Sequence, residues 1–314
     1  MISMDSSFQS RGEHCAGTLL LPSQGACPPV ILMAHGFGAI RAAGLPAFAD
    51  RFVTEGYAVY VFDYRNFGDS GGTPRHWVSP RRHLQDWAAA ITHVRSLPQV
   101  DTGRMVLWGT SFSGGHVIQT AAFDHRVRAV IAQVPHVSGL ASLMQPSIGL
   151  SLRMTLAAMR DLVGSVFHRP HYSPIVGRPG DLAALTGDDA WHGYARLLPA
   201  GAKWENKVLS RIFLEVPHYN PIRHAHRVAA PTLIVAGSHD TITPAKAAQR
   251  AARLMPNGEF HLVEGNHFQL HLHDEPAFAT NIGLQLAFLH RHVGATRHTA
   301  TLGPHQTTAP TNGM

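Results

Sequence analysis

The sequence predicts an α/β protein: a mostly parallel sheet flanked by helices, with an inserted, mainly helical cap. Short apolar runs rich in Val, Ile and Leu alternate with longer helical patterns, which is typical of strands joined by crossover helices. Most runs are continuously apolar, as in strands that are covered on both faces. The chain has 314 residues, enough for one large domain with an insertion.

Seven apolar runs are the predicted strands, because they are short and bounded by turn residues. They cover residues 15–21, 30–34, 58–62, 104–107, 127–133, 232–236 and 259–263.

Helices are predicted between and after these strands. Ser79-Pro80 marks a helix start, apolar residues recur at helical spacing from Leu84 to Val94, and Pro98 ends the helix. The same logic predicts helices over residues 244–254 and 276–292.

The alternation of strands and helices stops after residue 135 and resumes at residue 230. We therefore predict a core formed by residues 1–135 and 230–293, with residues 136–229 inserted as a helical cap. Helical material is expected in this cap over residues 140–167 and 204–216. Residues 294–314 are rich in Thr, Pro, Gly and His without periodicity, and are predicted to be a disordered tail.

Composition restricts the function classes. The formal charge is +6, but the arginines are scattered and no basic run interleaves with aromatic residues, so nucleic-acid binding is not expected. No stretch reaches the ~18 apolar residues of a membrane helix, and the first residues do not resemble a signal peptide. Cys15 and Cys27 lack metal-ligand spacing and fit a reducing compartment. We expect a cytoplasmic protein without a membrane partner, and leave a homodimer open.

Ser111 is the predicted nucleophile. It lies in the segment W-G-T-S-F-S-G-G-H, residues 108–116, between an apolar run and a helical pattern. A serine at such a corner has the setting of a nucleophile elbow, where small residues two places on either side let strand and helix approach. Gly109 meets this need, and Ser113 stands where the usual G-x-S-x-G pattern has glycine. The alternative is an ordinary glycine-rich junction.

A serine hydroxyl needs a base and a carboxylate that orients the base. Asp240 follows the sixth predicted strand and is the predicted acid; the alternative is that it only caps the next helix. Residues 127–139 contain no carboxylate, so the preceding strand offers none. His267 follows the last strand and is the predicted base. His271 and His273 are the rivals, and we expect both to face solvent.

The oxyanion of an acyl intermediate needs two backbone amides, which we assign to Phe112 and to Phe37 in the H-G-F-G loop, residues 35–38. The histidines near residue 270 suggest a metal site, but their carboxylate partners are not at ligand spacing. We predict no metal and no cofactor.

With Ser111, Asp240 and His267 in this order after the loop at 35–38, the chain resembles the α/β-hydrolase superfamily over roughly residues 15–292. The segment F-D-Y-R-N-F-G-D-S, residues 62–70, looks like the D-Y-R-G-F-G-x-S segment of these enzymes. More narrowly, residues 108–116, 133–135 and 265–268 resemble a subgroup that includes dienelactone hydrolase-like esterases and polyketide-transferase hydrolases. The resemblance implies an α/β-hydrolase fold and acyl chemistry on an ester, thioester or lactone.

The expected partner is a small-molecule acyl substrate. Met144, Met154 and Met159 of the cap, together with His35, are predicted to line its pocket, since methionine side chains adapt to irregular shapes; the alternative is that the methionines only pack the cap. The leading function is a serine hydrolase that cleaves a carboxylic ester or thioester through an acyl-enzyme. A biosynthetic acyltransferase of the polyketide-transferase type is the alternative. An inactive binding module is least favoured, because all three catalytic residue types are present.

Overall fold

The computed structural model describes residues 1–139, 147–186 and 189–294. Its strands are β1 (Ile2–Asp5), β2 (Phe8–Ser10), β3 (Glu13–Cys15), β4 (Gly17–Leu21), β5 (Pro29–Ala34), β6 (Ala58–Phe62), β7 (Asp101–Thr110), β8 (Ala129–Gln133), β9 (Tyr172–Ser173), β10 (Val208–Leu209), β11 (Thr232–Gly237) and β12 (Gly258–Val263). Its α-helices are α1 (Leu45–Thr54), α2 (Pro80–Val94), α3 (Phe112–Ala121), α4 (Ile148–Val166), α5 (Ala190–Leu197), α6 (Ile212–Glu215), α7 (Ala245–Leu254) and α8 (Pro276–His292).

The core is an eight-stranded sheet in the order β1-β4-β6-β5-β7-β8-β11-β12. β1 and β4 pair antiparallel with their neighbours, and every pairing from β6 to β12 is parallel. The predicted mostly parallel sheet is confirmed. The chain leaves β5 toward β6 on one side and returns to β7 on the other, so the strand order reverses between β5 and β7. The crevice beyond the carboxyl ends of two such strands is where open α/β sheets bind ligands.

Helices cover both faces of the sheet, which explains the continuously apolar strands. Helices α1 and α8 pack on one face, where Phe48, Phe52, Phe278 and Phe288 are buried in one apolar cluster. Helices α2, α3 and α7 pack on the other, where Trp87, Val117 and Ala251 belong to a second cluster. Within the described ranges, no helix is both long and apolar enough to span a membrane.

Between β8 and β11 the described residues form α4, α5, α6 and the two-stranded β9–β10 sheet. The helix predicted over 140–167 is present as α4, while residues 140–146 lie outside the described residues. The prediction of a helix over residues 204–216 is wrong. This segment forms β10 and the single turn α6, because Val208 and Leu209 pair with β9. The division into core and cap stays a prediction, and residues 295–314 of the predicted tail lie outside the described part.

Candidate active site

Ser111 joins the end of β7 to the start of α3 with φ 55° and ψ −119°. A positive φ is rare for a residue with a side chain and is typical of functional turns. The end of β8 and the loop after it hold this turn on both sides. The Ser111 amide donates to the Gln133 carbonyl at 2.8 Å, and the His136 amide donates to the Ser111 carbonyl at 2.8 Å. The backbone of Ser111 is therefore fixed in the strained form that projects its hydroxyl.

The two small residues beside the turn have different reasons to be small. A Cβ atom on Gly109 would lie 2.3 Å from the Ser113 carbonyl oxygen, so glycine is required there. Ser113 is buried, and its hydroxyl is 2.6 Å from the Tyr64 hydroxyl, which also accepts from the Trp87 indole at 2.7 Å. A serine fits the usual glycine position because Tyr64 gives its hydroxyl a partner.

Asp240 lies in the loop after β11. One carboxylate oxygen accepts the amides of Ile242 and Thr243 at 2.8 and 2.7 Å. The other accepts the Thr243 hydroxyl at 2.8 Å and the His267 ring at 2.7 Å. Burial opposes the charge, but His267 and these donors outweigh it and hold the pKa of Asp240 below its usual value. Helix α7 begins at Ala245 after Pro244, so Asp240 is not its cap.

His267 lies in the loop after β12 and is buried. Its Nδ1 faces a carboxylate, so Nδ1 carries the proton, and Nε2 of the neutral ring is left to accept one. Ser111 and Asp240 line the same cavity. In the described part of the chain, no hydrogen bond joins the Ser111 hydroxyl to His267. Such bonds are often long before substrate binds.

The expectation that His271 faces solvent is wrong, whereas His273 is exposed. His271 is buried, with Nδ1 3.0 Å from the His267 carbonyl oxygen and Nε2 2.5 Å from the Thr110 hydroxyl. It turns inward because the chain continues through the buried Leu270 and Leu272 before α8 begins. Among the described residues, no cluster of three or more His, Cys, Asp or Glu side chains is placed to hold a metal ion.

The loop after β5 lies against the nucleophile, because Ala34 pairs with Gly109 across the two parallel strands. A Cβ atom on Gly36 would stand 3.0 Å from Ser111 Cβ. The Gly36 carbonyl accepts from the His35 ring at 3.0 Å. In a trans peptide the C=O and N–H groups point in opposite directions, so the Phe37 N–H points away from the His35 ring. The Phe37 and Phe112 rings are 5.4 Å apart and both line the cavity with Ser111.

Two residues between β8 and β11 hold this loop. The Tyr194 hydroxyl donates to the Phe37 carbonyl at 3.1 Å, and the Trp204 indole donates to the Gly38 carbonyl at 2.9 Å. Sequence reasoning missed both residues, because nothing in their local sequence indicates a contact more than 150 residues away. It also missed Thr243, although the D-T-I-T order is typical of side-chain hydrogen bonding to nearby amides.

The cavity has a volume of about 770 Å³. Its wall includes Leu150, Ser151, Met154 and Thr155 of α4. Of the predicted pocket residues, Met154 lies in the wall and Met144 lies outside the described residues. Met159 is not in the wall: it is five residues from Met154, about 140° around the helix, and is 49% exposed. His35 is not in the wall either, because its buried ring packs against Tyr64 and lies 3.8 Å from Asp63.

The chain is similar to known proteins along most of its length. Residues 14–269 match the model of the X-Pro dipeptidyl-peptidase (S15) family. The chain is 40% identical to the quorum-quenching protein AidA of Acinetobacter baumannii, over 92% of this chain and 94% of that protein. It is 30% identical to the polyketide transferase af380 of Aspergillus fumigatus, over 84% of this chain and 90% of that protein.

A solved structure shows the same fold. The α/β hydrolase GrgF from Penicillium sp. sh18 superposes with a TM-score of 0.77 at 24% identity, covering 93% of this chain and 99% of that one. The predicted α/β-hydrolase fold is confirmed.

Proposed function

Since the chain belongs to the X-Pro dipeptidyl-peptidase (S15) family and has the α/β-hydrolase fold, we propose that Ser111, His267 and Asp240 are its catalytic triad. With these residues the enzyme cleaves a carboxylic ester or thioester through an acyl-enzyme. The observation that carries the proposal is the 2.7 Å pairing of His267 with Asp240 at a cavity that Ser111 also lines.

The chemistry follows from these positions. The Ser111 hydroxyl attacks the acyl carbon and passes its proton to Nε2 of His267, while Asp240 stabilises the resulting imidazolium. The backbone amides of Phe37 and Phe112 donate hydrogen bonds that stabilise the negative charge on the carbonyl oxygen. His267 then gives its proton to the leaving alcohol or thiol. Water, activated by the same histidine, releases the acid and restores Ser111.

The cavity favours an acyl substrate over a peptide with a free amino terminus. Such a peptide carries an ammonium group, which needs a carboxylate partner when it is buried. Among the described lining residues the one carboxylate is Asp240, and it is already paired with His267. The cavity wall is instead largely apolar and includes Phe37, Phe112, Leu150 and Met154. An acyl group with an apolar portion fits this wall.

Acyl transfer with the same triad is the second candidate. Its support is the position of α4, which contributes Leu150 and Met154 to the cavity that holds Ser111. Exclusion of water from the cavity by this helix would let an acyl-enzyme survive until an alcohol or amine acceptor binds. The polyketide transferase among the relatives supports the same reading.

A screen of p-nitrophenyl esters and acyl-thioesters, with product masses recorded in the presence of mixed alcohols and amines, tests both candidates. Ser111→Ala is expected to lower turnover by about 10⁴-fold or more. Ser96→Ala, at an exposed serine that does not line the cavity, is the control and should retain turnover. Free acid alone across the acceptor panel supports hydrolysis, whereas a new ester or amide supports transfer. Turnover retained in Ser111→Ala contradicts both.

A further inference from the structure

The buried imidazole of His271 connects the two parts of the proposed triad. Its Nε2 is 2.5 Å from the hydroxyl of Thr110, the last residue before Ser111. Its Nδ1 is 3.0 Å from the backbone carbonyl of His267. One side chain therefore spans the strand that ends at the nucleophile and the loop that carries the base.

The proton positions along this connection are determined by the partners. A carbonyl oxygen only accepts, so Nδ1 of His271 is the donor to His267. In a neutral ring, Nε2 then accepts, and the Thr110 hydroxyl donates to it. Burial, followed by the nearby His267, lowers the pKa of His271 to about 3, so the ring is neutral at physiological pH. A proton taken up by His267 during turnover disfavours a second positive charge on His271 still further.

Buried side-chain amides fix the Thr110 end of this connection. The Gln133 side-chain oxygen accepts from Asn281 at 2.7 Å and from Gln285 at 2.9 Å. This orients the Gln133 amide nitrogen as the donor to Thr110 Oγ1, at 3.4 Å. The hydrogen bonds thus run in one direction, from Gln133 through Thr110 and His271 to the carbonyl of His267. Each of these polar groups is buried and has a partner, a condition under which such networks rigidify a site.

We propose that His271 is a positioning residue, which sets the His267 backbone at a fixed distance from the β7 end that bears Ser111. This inference rests on the proposed function. It assigns His271 no contact with substrate and no proton transfer. Its contribution is to the alignment of Nε2 of His267 with the Ser111 hydroxyl, where a shift of about 1 Å costs on the order of 10²-fold in rate.

The alternative is that His271 only fills space, since its ring also packs against Phe48 at a centroid distance of 6.3 Å. Two substitutions separate the roles. The side-chain amide of His271→Asn can place a nitrogen donor where Nδ1 lies and keep the bond to the His267 carbonyl. His271→Leu fills similar space without either hydrogen bond. A space-filling role predicts that Leu is tolerated at least as well as Asn.

The test measures kcat, KM and thermal unfolding for both variants, with His273→Leu at the neighbouring exposed position as the control. We expect His271→Leu to lower kcat by about 10²-fold with KM changed less than about threefold, because alignment acts on the reaction and not on substrate binding. We expect His271→Asn to recover at least about tenfold of that loss. A folded His271→Leu enzyme with wild-type kcat, or an Asn variant no faster than Leu, overturns the inference.

Thr110→Val provides a second approach if His271→Leu does not fold. It removes the hydroxyl donor at nearly constant volume and leaves His271 in place. A fall in kcat of about tenfold or more is expected; unchanged kcat contradicts the connection. Ser111→Ala, measured in parallel, keeps the two proposals apart. Turnover that survives in Ser111→Ala rejects the proposed function, whereas turnover lost in Ser111→Ala but kept in His271→Leu and Thr110→Val rejects only the role of His271.

Discussion

Gly36 packs directly against Ser111, and a methyl group at Gly36 would place its carbon 3.0 Å from Ser111 Cβ. The contact follows from the sheet, because β5 and β7 are neighbours and end at the same edge. The loop that supplies the proposed amide of Phe37 can therefore lie this close to the nucleophile because Gly36 has no side chain.

Gly36→Ala is expected to displace this loop and lower kcat by about 10²-fold, the cost of losing one oxyanion donor. Gly283→Ala is the matched control, since a Cβ atom on Gly283 has no neighbour within 4 Å. Steady-state kinetics with the best ester or thioester substrate measure the effect. Wild-type kcat in Gly36→Ala contradicts an oxyanion role for this loop.

Ser113→Gly restores the usual glycine of the elbow and removes the hydroxyl partner of Tyr64. We expect a loss of about 1 kcal/mol in the free energy of unfolding, with labelling of Ser111 by a fluorophosphonate retained. Denaturant unfolding and labelling are measured on the same preparation. If labelling disappears while the fold persists, Ser113 has a role at the site that its contact with Tyr64 does not explain.

Asp161 of α4 is buried and ties this helix to the start of α6. It pairs with the Arg211 guanidinium at 2.7 Å and accepts the amides of Arg211 and His171 at 2.9 and 3.0 Å. Burial opposes the charge, but these donors lower the pKa of Asp161 below its usual 3.8. A carboxyl whose folded pKa is depressed contributes stability above its unfolded pKa, and this contribution is lost as the pH falls through the folded value.

Asp161→Asn is therefore expected to destabilise the protein at neutral pH by about 3 kcal/mol, because Arg211 is left without its buried counter-charge. The difference in unfolding free energy from wild type should shrink as the pH falls below about 4. Urea unfolding at pH 7 and pH 3 measures it. A difference that is the same at both values contradicts the assignment of this stability to the ionised carboxylate.

The sequence predicted the parts of the fold in which one pattern dominates. Apolar runs located the central strands, and the order Ser111, Asp240 and His267 along the chain placed the candidate triad at strand ends. It failed where structure depends on distant pairing. The run 15–21 divides at Ala16, because Cys15 pairs with Phe8 whereas Gly17 pairs with Phe62. The helix α1 was not predicted either.

Side-chain contacts of the site followed the same rule. The bond between Asp240 and His267 was predictable because each residue lies in the loop that follows a strand, at the same edge of the sheet. The inward turn of His271 was not, since its partner Thr110 is 161 residues away. The support of Phe37 by Tyr194 was hidden for the same reason, at a separation of 157 residues.

The site of covalent labelling tests the proposed triad most directly. A fluorophosphonate is reacted with the wild-type chain, and the adduct is located by peptide mass spectrometry. Ser111 lies on a strained turn and lines the cavity, and His267 is oriented by the Asp240 carboxylate. We therefore predict a single adduct, on Ser111. It should form at least about 10²-fold more slowly in His267→Ala. An adduct on another serine, or undiminished labelling of Ser111→Ala, would contradict the proposed role of Ser111 as the nucleophile.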